Sequence, residues 1–372
     1  MTNPFVTSGY VSPEYFCDRV QETHDLLNLL QNGNNVALIS PRRLGKTDLI
    51  RHCFAQPGIQ RQYYTFIIDI YSTNSLAEMA DRMGKCILDT LKSRGRQAWE
   101  RFLAALTSIR PSIEFDAMGM PSWNLGLGQI SNPAATLDEI FRYLQQADKP
   151  CLVAIDEFQQ ILKYGDNQVE AALRTHIQYC SNAHFIFSGS QRHLMGSIFT
   201  SPARPFYQSV TIFNLATIAL PRYEEFCQHH FAQAGKTLDA DLVERVYGQF
   251  DGVTFYLQRV MNVLFMQTAT GDRCTADMLS AAVEYIIGFS ASTYEDLMYQ
   301  LPEKQLQVLR AISRDGKAQH IASGDFVRKH GLHSVSSVNS AVKALLDKDL
   351  VTYSQGTYQV YDKFLGLWLG SH

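Results

Sequence analysis

The run Ser40-Pro41-Arg42-Arg43-Leu44-Gly45-Lys46-Thr47 has the GxxxxGK[ST] spacing, with serine at the first glycine, and stands between a short apolar run and a helix-forming segment. A loop of that kind turns successive backbone N–H groups and a helix N-terminus onto phosphate oxygens. Lys46 is expected to balance the charge of the β- and γ-phosphates and Thr47 to offer its hydroxyl to Mg2+. Gly45 lets the main chain approach a phosphate, and Asp48 completes the candidate binding segment. A chance Gly-Lys-Thr at a helix start is the other reading. Ser40 tolerates positive φ less readily than glycine, at a cost of about 1 kcal/mol if the loop demands it.

A second run, Leu152-Val153-Ala154-Ile155-Asp156-Glu157, sets two carboxylates at the C-terminal end of a buried strand, where ligands of open α/β sheets sit. Asp156 is expected to hold Mg2+, and Glu157 to polarise the water that attacks a terminal phosphate. Adjacent strand residues can serve separate roles because their side chains leave on different sides. A third strand ends in Ser188-Gly189-Ser190, and Ser190, placed slightly ahead of Ser188, is the candidate polar sensor of phosphate or water; an ordinary strand-to-turn serine is the alternative. Arg204, on a loop between Pro202 and Pro205, is a candidate for meeting developing phosphate charge, in cis or from a neighbouring subunit. Its other reading is a surface ion pair.

These residues need strands to hold them. Apolar runs at Val36 to Ser40, Tyr64 to Ile70, Cys151 to Ile155 and His184 to Ser188 read as strands covered on both faces of a parallel sheet. Helical segments lie between them at Ser75 to Ser93, Thr136 to Ala147 and Val169 to Cys180, so the fold class is an α/β layered domain. Alternation around a Gly-Met-Pro turn predicts an inserted β-hairpin over about 110–131. After Pro221 strands are expected to stop, giving a small helical domain. From Pro302 three helices (Glu303 to Arg314, Ala322 to His330, Ser334 to Leu346) and a ribbon around Gln355-Gly356 predict a winged helix-turn-helix. The expected domains are 1–218, 219–298 and 299–372.

Composition bounds the function classes. Across 372 residues the formal charge is −3, which excludes a globally basic nucleic-acid coat and leaves room for a regional patch. Hydrophobic residues at 46% and charged ones at 19% exclude wholesale disorder, and no apolar run approaches the ~18 residues of a membrane span. Seven cysteines, scattered and never in CxxC spacing, argue against a disulfide framework or a zinc site. No secretory signal is read at the N-terminus, so a reducing cytoplasm is expected.

Together, the loop SPRRLGKT, the strands LVAIDE and FIFSGS, the helical region and the terminal winged helix resemble the archaeal-type P-loop ATPases, within the STAND branch of the AAA+ superclass. The resemblance covers nearly the whole chain and implies a P-loop NTPase sheet of the AAA+/ASCE type, a helical lid and a winged helix. It implies Lys46 as the phosphate lysine, Thr47 and Asp156 as magnesium ligands and Glu157 as the water-activating residue. Tyr15-Phe16-Cys17-Asp18-Arg19 is similar to the box that packs near the adenine. Two positions depart from the family: Ser40 replaces a glycine, and Gly252-Val253-Thr254 stands where a GxP often touches nucleotide; Arg259 in the next helix is a candidate substitute, a helix-surface arginine being the preferred reading.

In the terminal domain Ser336, Ser337, Asn339, Ser340 and Lys343 are the polar candidates on the recognition helix, and nine basic residues against six acidic ones from Gln300 onward make it mildly basic. DNA or a protein partner is therefore compatible with it, as is simple packing, and Tyr353, Tyr358, Tyr361 and Phe364 read as core at strand spacing. Two function classes follow. One is an ATP-hydrolysing switch that couples nucleotide state to the winged helix, with which a nucleotide-dependent homo-oligomer is compatible. The other is a DNA- or protein-binding regulator that holds ATP or ADP with little turnover.

Overall fold

The computed structural model describes residues 2–108, 113–123, 130–165 and 168–371. Contacts divide the chain between Ile218 and Ala219 into two compact units, and the segment that ends at Thr7 goes with the second. In the first unit α1 (Val20–Gln31) leads to β1 (Val36–Ile39), α2 (Lys46–Ala55), α3 (Pro57–Gln62) and β2 (Tyr64–Asp69). Then come α4 (Leu76–Lys92), α5 (Arg96–Ala105), β3 (Glu114–Phe115), β4 (Pro121–Ser122), α6 (Pro133–Gln146) and β5 (Cys151–Asp156). The unit ends with α7 (Val169–Tyr179), β6 (Ala183–Gly189), α8 (Arg192–Thr200) and β7 (Thr211–Asn214).

Five strands form one parallel sheet in the order β2-β5-β6-β1-β7. Every residue of β1 and β5 is buried, as continuous apolar strands in a covered sheet must be. The fifth strand, β7, was not expected. It lies at the sheet edge with half-exposed residues alternating with exposed ones, so it carries no apolar run to read. On one face α4 buries Met79, Met83, Ile87 and Leu91 at helical spacing, and Ser75 caps it by accepting the Glu78 amide at 3.2 Å. Phe158, Phe187, Phe199 and Phe206 pack together beside the end of β5, with the Phe158 and Phe187 rings 4.6 Å apart.

The predicted insert contains a hairpin of two-residue strands, β3 against β4, closed by Asp116, whose carboxylate accepts the Met118 and Met120 amides at 2.8 and 2.9 Å. Parts of the expected span, 109–112 and 124–129, lie outside the described residues. Trp123 anchors the hairpin over Gly84 on α4 and donates its indole N–H to Asp81 at 2.8 Å.

The second unit runs α9 (Leu220–Gln233), β8 (Thr237–Leu238), α10 (Leu242–Gln249), α11 (Thr254–Gln267), β9 (Arg273–Cys274), α12 (Met278–Gly288) and α13 (Ala291–Gln300). The expectation that strands stop after Pro221 needs correction: β8 and β9 pair in parallel, each too short for a period to show in the sequence. Next come α14 (Glu303–Asp315), β10 (Ala318–Gln319), α15 (Gly324–Lys329), α16 (Val335–Asp347), β11 (Val351–Ser354), β12 (Thr357–Val360) and α17 (Lys363–Ser371). The ribbon is a three-stranded antiparallel sheet, β10-β12-β11, one strand more than expected. Tyr353 also departs from the reading as core: it is 56% exposed on the ribbon, beside Tyr358, while Phe364 is buried.

Residues read as the start of the first domain belong to this unit instead. Phe5 is fully buried among Phe226, Phe231 and Phe265, with ring centroids within 5.8 Å, and Asn262 donates its amide to the Phe5 carbonyl at 2.7 Å. Within the same unit the turn between α10 and α11 is clasped to the ribbon and α17. Asp251 pairs with Lys317 at 2.7 Å and Lys363 at 2.5 Å, Phe250 and Tyr256 pack on Phe364, and the Tyr256 hydroxyl donates to the Tyr361 carbonyl at 3.2 Å. All seven cysteines are free and six are buried. No described helix is long and apolar enough to cross a membrane.

Candidate active site

The loop after β1 makes its tight turns at Arg43 (φ 72°) and Gly45 (φ 83°), both left-handed. Ser40 is not among the left-handed residues, so the expected cost of serine there does not arise; it falls on Arg43, at about 1 kcal/mol. Ser40 is buried, and its hydroxyl donates to the Pro41 carbonyl at 3.0 Å. Lys46 opens α2 and is buried. Its ammonium donates to the Ser40 carbonyl at 3.1 Å, the Ser40 hydroxyl at 3.2 Å and the Pro41 carbonyl at 3.1 Å. Burial pushes that ammonium down to about 8, Arg42 acts the same way, and Asp156 and Glu157 oppose. Asp48 is half-buried, and burial, aided by Asp156, raises its carboxyl against the pull of Arg51.

The acids stand two strands away, across β6. Asp156 Oδ2 accepts the Thr47 hydroxyl at 2.6 Å, while Oδ1 accepts the Glu157 amide at 3.0 Å and the Ser188 hydroxyl. The register explains the reach: Leu38 of β1 is level with Ser188 of β6, and Ile155 of β5 with Phe187, so three strand ends finish together. Glu157 takes left-handed geometry (φ 55°) as the chain turns into the short 3-10 helix Phe158–Lys163, anchored by the buried Phe158. That turn re-aims its carboxylate. Its Oε2 accepts the Ser190 hydroxyl at 2.9 Å and the Gln159 amide, and Arg42 Nε donates to Ser190 at 2.9 Å.

Gln159 was not foreseen. A glutamine two residues beyond an acid has no sequence signature, and only the turn at Glu157 brings it back. It is 4% exposed, and its carbonyl oxygen has no hydrogen-bond partner. A Cβ on Gly189 would collide with that amide and with Met195, so glycine is required there by close approach. Of the predicted residues, the loop, Asp156, Glu157 and Ser190 come together. Arg204 makes an ion pair with Glu170 on α7 at 3.4 Å. In the N-terminal box Asp18 and Arg19 are left-handed, and buried Arg19 donates to the Ala216 carbonyl at 2.7 Å and the Leu44 carbonyl at 3.5 Å; Phe16 stacks on His52 at 4.3 Å. In the second unit Thr254 begins α11, and Arg259 lies over the Phe255 ring.

The residues present fit a nucleoside triphosphate with Mg2+. Arg42, Arg43 and Lys46 put three cations within the loop, and the Lys46 ammonium already satisfies itself on oxygen acceptors. Thr47 and Asp156 set a hydroxyl and a carboxylate side by side, a donor set for a hard cation. Among the described residues no group of three or more His, Cys, Asp or Glu could hold a metal.

A family model for a probable winged helix domain matches residues 292–371. No curated protein matches the sequence. Among solved structures the chain is similar to a Walker-type ATPase of Pyrococcus abyssi, with a TM-score of 0.66 and 16% identity over 98% of this chain and 99% of that one. It is similar also to the ORC2 protein of Aeropyrum pernix, in ADPNP and ADP complexes, with a TM-score of 0.59 and 15% identity over 99% and 96% of the two chains. The ORC1 protein of Aeropyrum pernix, solved in complex with DNA, gives 0.53 and 14% over 96% and 93%. At such identities likeness establishes the fold. The chain has the α/β P-loop fold of these structures, followed by residues 292–371, which match the winged helix model.

Proposed function

We propose that the chain is a Mg2+-dependent, ATP-binding and ATP-hydrolysing switch of the STAND kind, in which nucleotide state moves a winged helix. The observation that carries this reading is the convergence of Lys46, Thr47, Asp156 and Glu157 at three adjacent strand ends. In it the second unit divides into a helical lid over 219–298 and a winged helix over 299–372. The free thiols suit a cytoplasmic setting.

Segment 40–48 binds the polyphosphate: backbone amides and the α2 N-terminus face it, and Lys46 exchanges its loop carbonyls for phosphate oxygens. Mg2+, held through Thr47 and Asp156, supplies charge neutralisation at the terminal phosphates. Glu157 orients water and takes its proton at the carboxylate, and Ser190 positions that carboxylate. Arg204 reaches phosphate only by leaving Glu170, so it acts after a rearrangement or on a neighbouring copy.

Phosphate release tests the reading. Glu157→Gln is expected to abolish turnover with ATP still bound, and Lys46→Ala to lose both; release at the wild-type rate in both variants refutes hydrolysis at this site.

A second reading, a regulator that holds nucleotide with little turnover and binds DNA or protein, draws on the two donors that already engage Glu157 Oε2. The exposed Ser336, Asn339, Ser340 and Lys343 of α16 offer its contact face, and the similar ORC1 protein was solved with DNA. Tight ATP or ADP binding without phosphate release favours it.

A further inference from the structure

Arg42, Ser190 and Glu157 form a hydrogen-bond chain whose direction is fixed by chemistry. A guanidinium has donors only, so Ser190 accepts from Arg42 Nε at 2.9 Å. A hydroxyl has a single proton, and that of Ser190 goes to Glu157 Oε2 at 2.9 Å. The Gln159 amide holds the same oxygen. As long as the chain is closed, Ser190 has no proton to offer a phosphate or a water, and one oxygen of Glu157 is engaged twice. Ser190 and Gln159 are 8% and 4% exposed, so bulk water does not compete freely for these bonds.

We propose that Arg42 reads the terminal phosphate of a nucleoside triphosphate and, through Ser190, sets where the Glu157 carboxylate points. The inference rests on the ATP reading above and adds the residue that distinguishes triphosphate from diphosphate. A guanidinium bound to a neutral hydroxyl exchanges it for a phosphate oxygen at a gain, because charge-assisted hydrogen bonds are roughly twice as strong as neutral ones. Arg42 belongs to the phosphate loop, yet its Nε partner stands against the carboxylate proposed to activate water. The phosphate that draws it away is therefore the one next to Glu157, the terminal one. When Arg42 leaves, the Ser190 hydroxyl loses its donor and turns, and Glu157 loses one of the two bonds that fix it. A diphosphate leaves the chain closed.

The test reads binding and unfolding instead of turnover. Equilibrium titrations of the full chain use fluorescent ADP and a fluorescent non-hydrolysable ATP analogue, with Mg2+, on wild type, Arg42→Ala, Arg42→Lys and Ser190→Ala. Arg42→Ala is expected to weaken the triphosphate analogue at least tenfold and ADP less than threefold; Arg42→Lys keeps the charge without the fork and recovers only part. Retained ADP binding shows that each variant is folded. In parallel, a double-mutant cycle of Arg42→Ala and Ser190→Ala is measured by thermal unfolding. The two effects are expected to be non-additive in the free protein and additive when saturated with the analogue. Equal weakening of both nucleotides, additivity in the free protein, or a coupling indifferent to the analogue overturns the proposal and leaves ATP binding intact. Wild type that binds neither nucleotide overturns the ATP reading itself, and this inference with it.

Discussion

Thr47 donates its hydroxyl to Asp156 across 2.6 Å, although the two stand 109 positions apart in the chain. One residue belongs to the helix after β1 and the other ends β5, with β6 between them, so this bond measures how closely loop and acid are brought together. If both oxygens hold Mg2+, Thr47→Ala removes one ligand and a hydrogen bond to a charged group, worth about 1.5–3 kcal/mol, or roughly ten- to a hundredfold in affinity. ATP binding by wild type is expected to weaken on adding EDTA, and binding by Thr47→Ala to be weak already and indifferent to EDTA. Equal EDTA sensitivity of the two proteins would remove Thr47 from the metal site.

The Lys46 ammonium gives a pH dependence whose sign differs for folding and for binding. Burial pushes it down to about 8 from the ordinary 10.5. Between those values the unfolded chain holds more protons than the folded one, so through this group stability of the free protein rises as pH rises. Anion affinity moves the opposite way, because the charge is present below about 8 and lost above it. Affinity for a non-hydrolysable ATP analogue is expected to fall about tenfold between pH 7.5 and pH 9. Lys46→Met should bind weakly at both pH values; a wild-type titration flat across that range would mean that the ammonium does not meet the phosphates.

The parts of this architecture visible in the sequence are those in which one local pattern had one structural meaning. β1, β5 and β6 are continuously apolar because both faces are covered, and each ends in a chemically distinct segment: the Lys46 loop, Asp156-Glu157 and Ser188-Gly189-Ser190. β7 stayed hidden because an edge strand alternates half-exposed and exposed residues, and β8, β9 and β10 because two residues carry no period. Phe5 was misassigned because seven residues choose their unit by tertiary packing, here among Phe226, Phe231 and Phe265. Gln159 was missed because its position depends on the left-handed turn at Glu157, which a non-glycine residue adopts only when its surroundings impose it.

Gly189 tests that hidden contact directly. A Cβ there meets the Gln159 amide and Met195, which are 4% and 0% exposed and have no solvent to retreat into. Overpacking of this kind costs about 1–3 kcal/mol. Gly189→Ala is expected to lower the unfolding temperature by several degrees and, by displacing Gln159 from Glu157, to slow phosphate release about tenfold while ATP affinity changes less than threefold. Adding Gln159→Ala removes one of the two clashes and leaves that with Met195, so the double variant should regain part of the thermal stability without regaining the rate. A Gly189→Ala protein with the wild-type rate would show that Gln159 does not position Glu157.

Asp251 offers a test within the second unit, where it joins the α10–α11 turn to Lys317 at 2.7 Å and Lys363 at 2.5 Å. Burial pushes its carboxyl up, but hydrogen bonds and charge from the two lysines outweigh that and hold it below the ordinary aspartate value of 3.8. A folded value below the unfolded one means that the group contributes stability above the unfolded value and loses it as pH falls through the folded one. Asp251 itself is left-handed (φ 51°), a conformation asparagine tolerates, so Asp251→Asn removes charge with little change of backbone strain. At pH 7 that variant is expected to be less stable by about 1 kcal/mol, since both lysines stay partly solvated. As pH falls through the folded value the wild-type carboxyl is protonated too, and the difference should close. Denaturant unfolding of both proteins from pH 7 down through the acid range, until the carboxyl is protonated, decides it: a gap that stays constant throughout would mean that the charge of Asp251 does not hold the turn to the ribbon and α17.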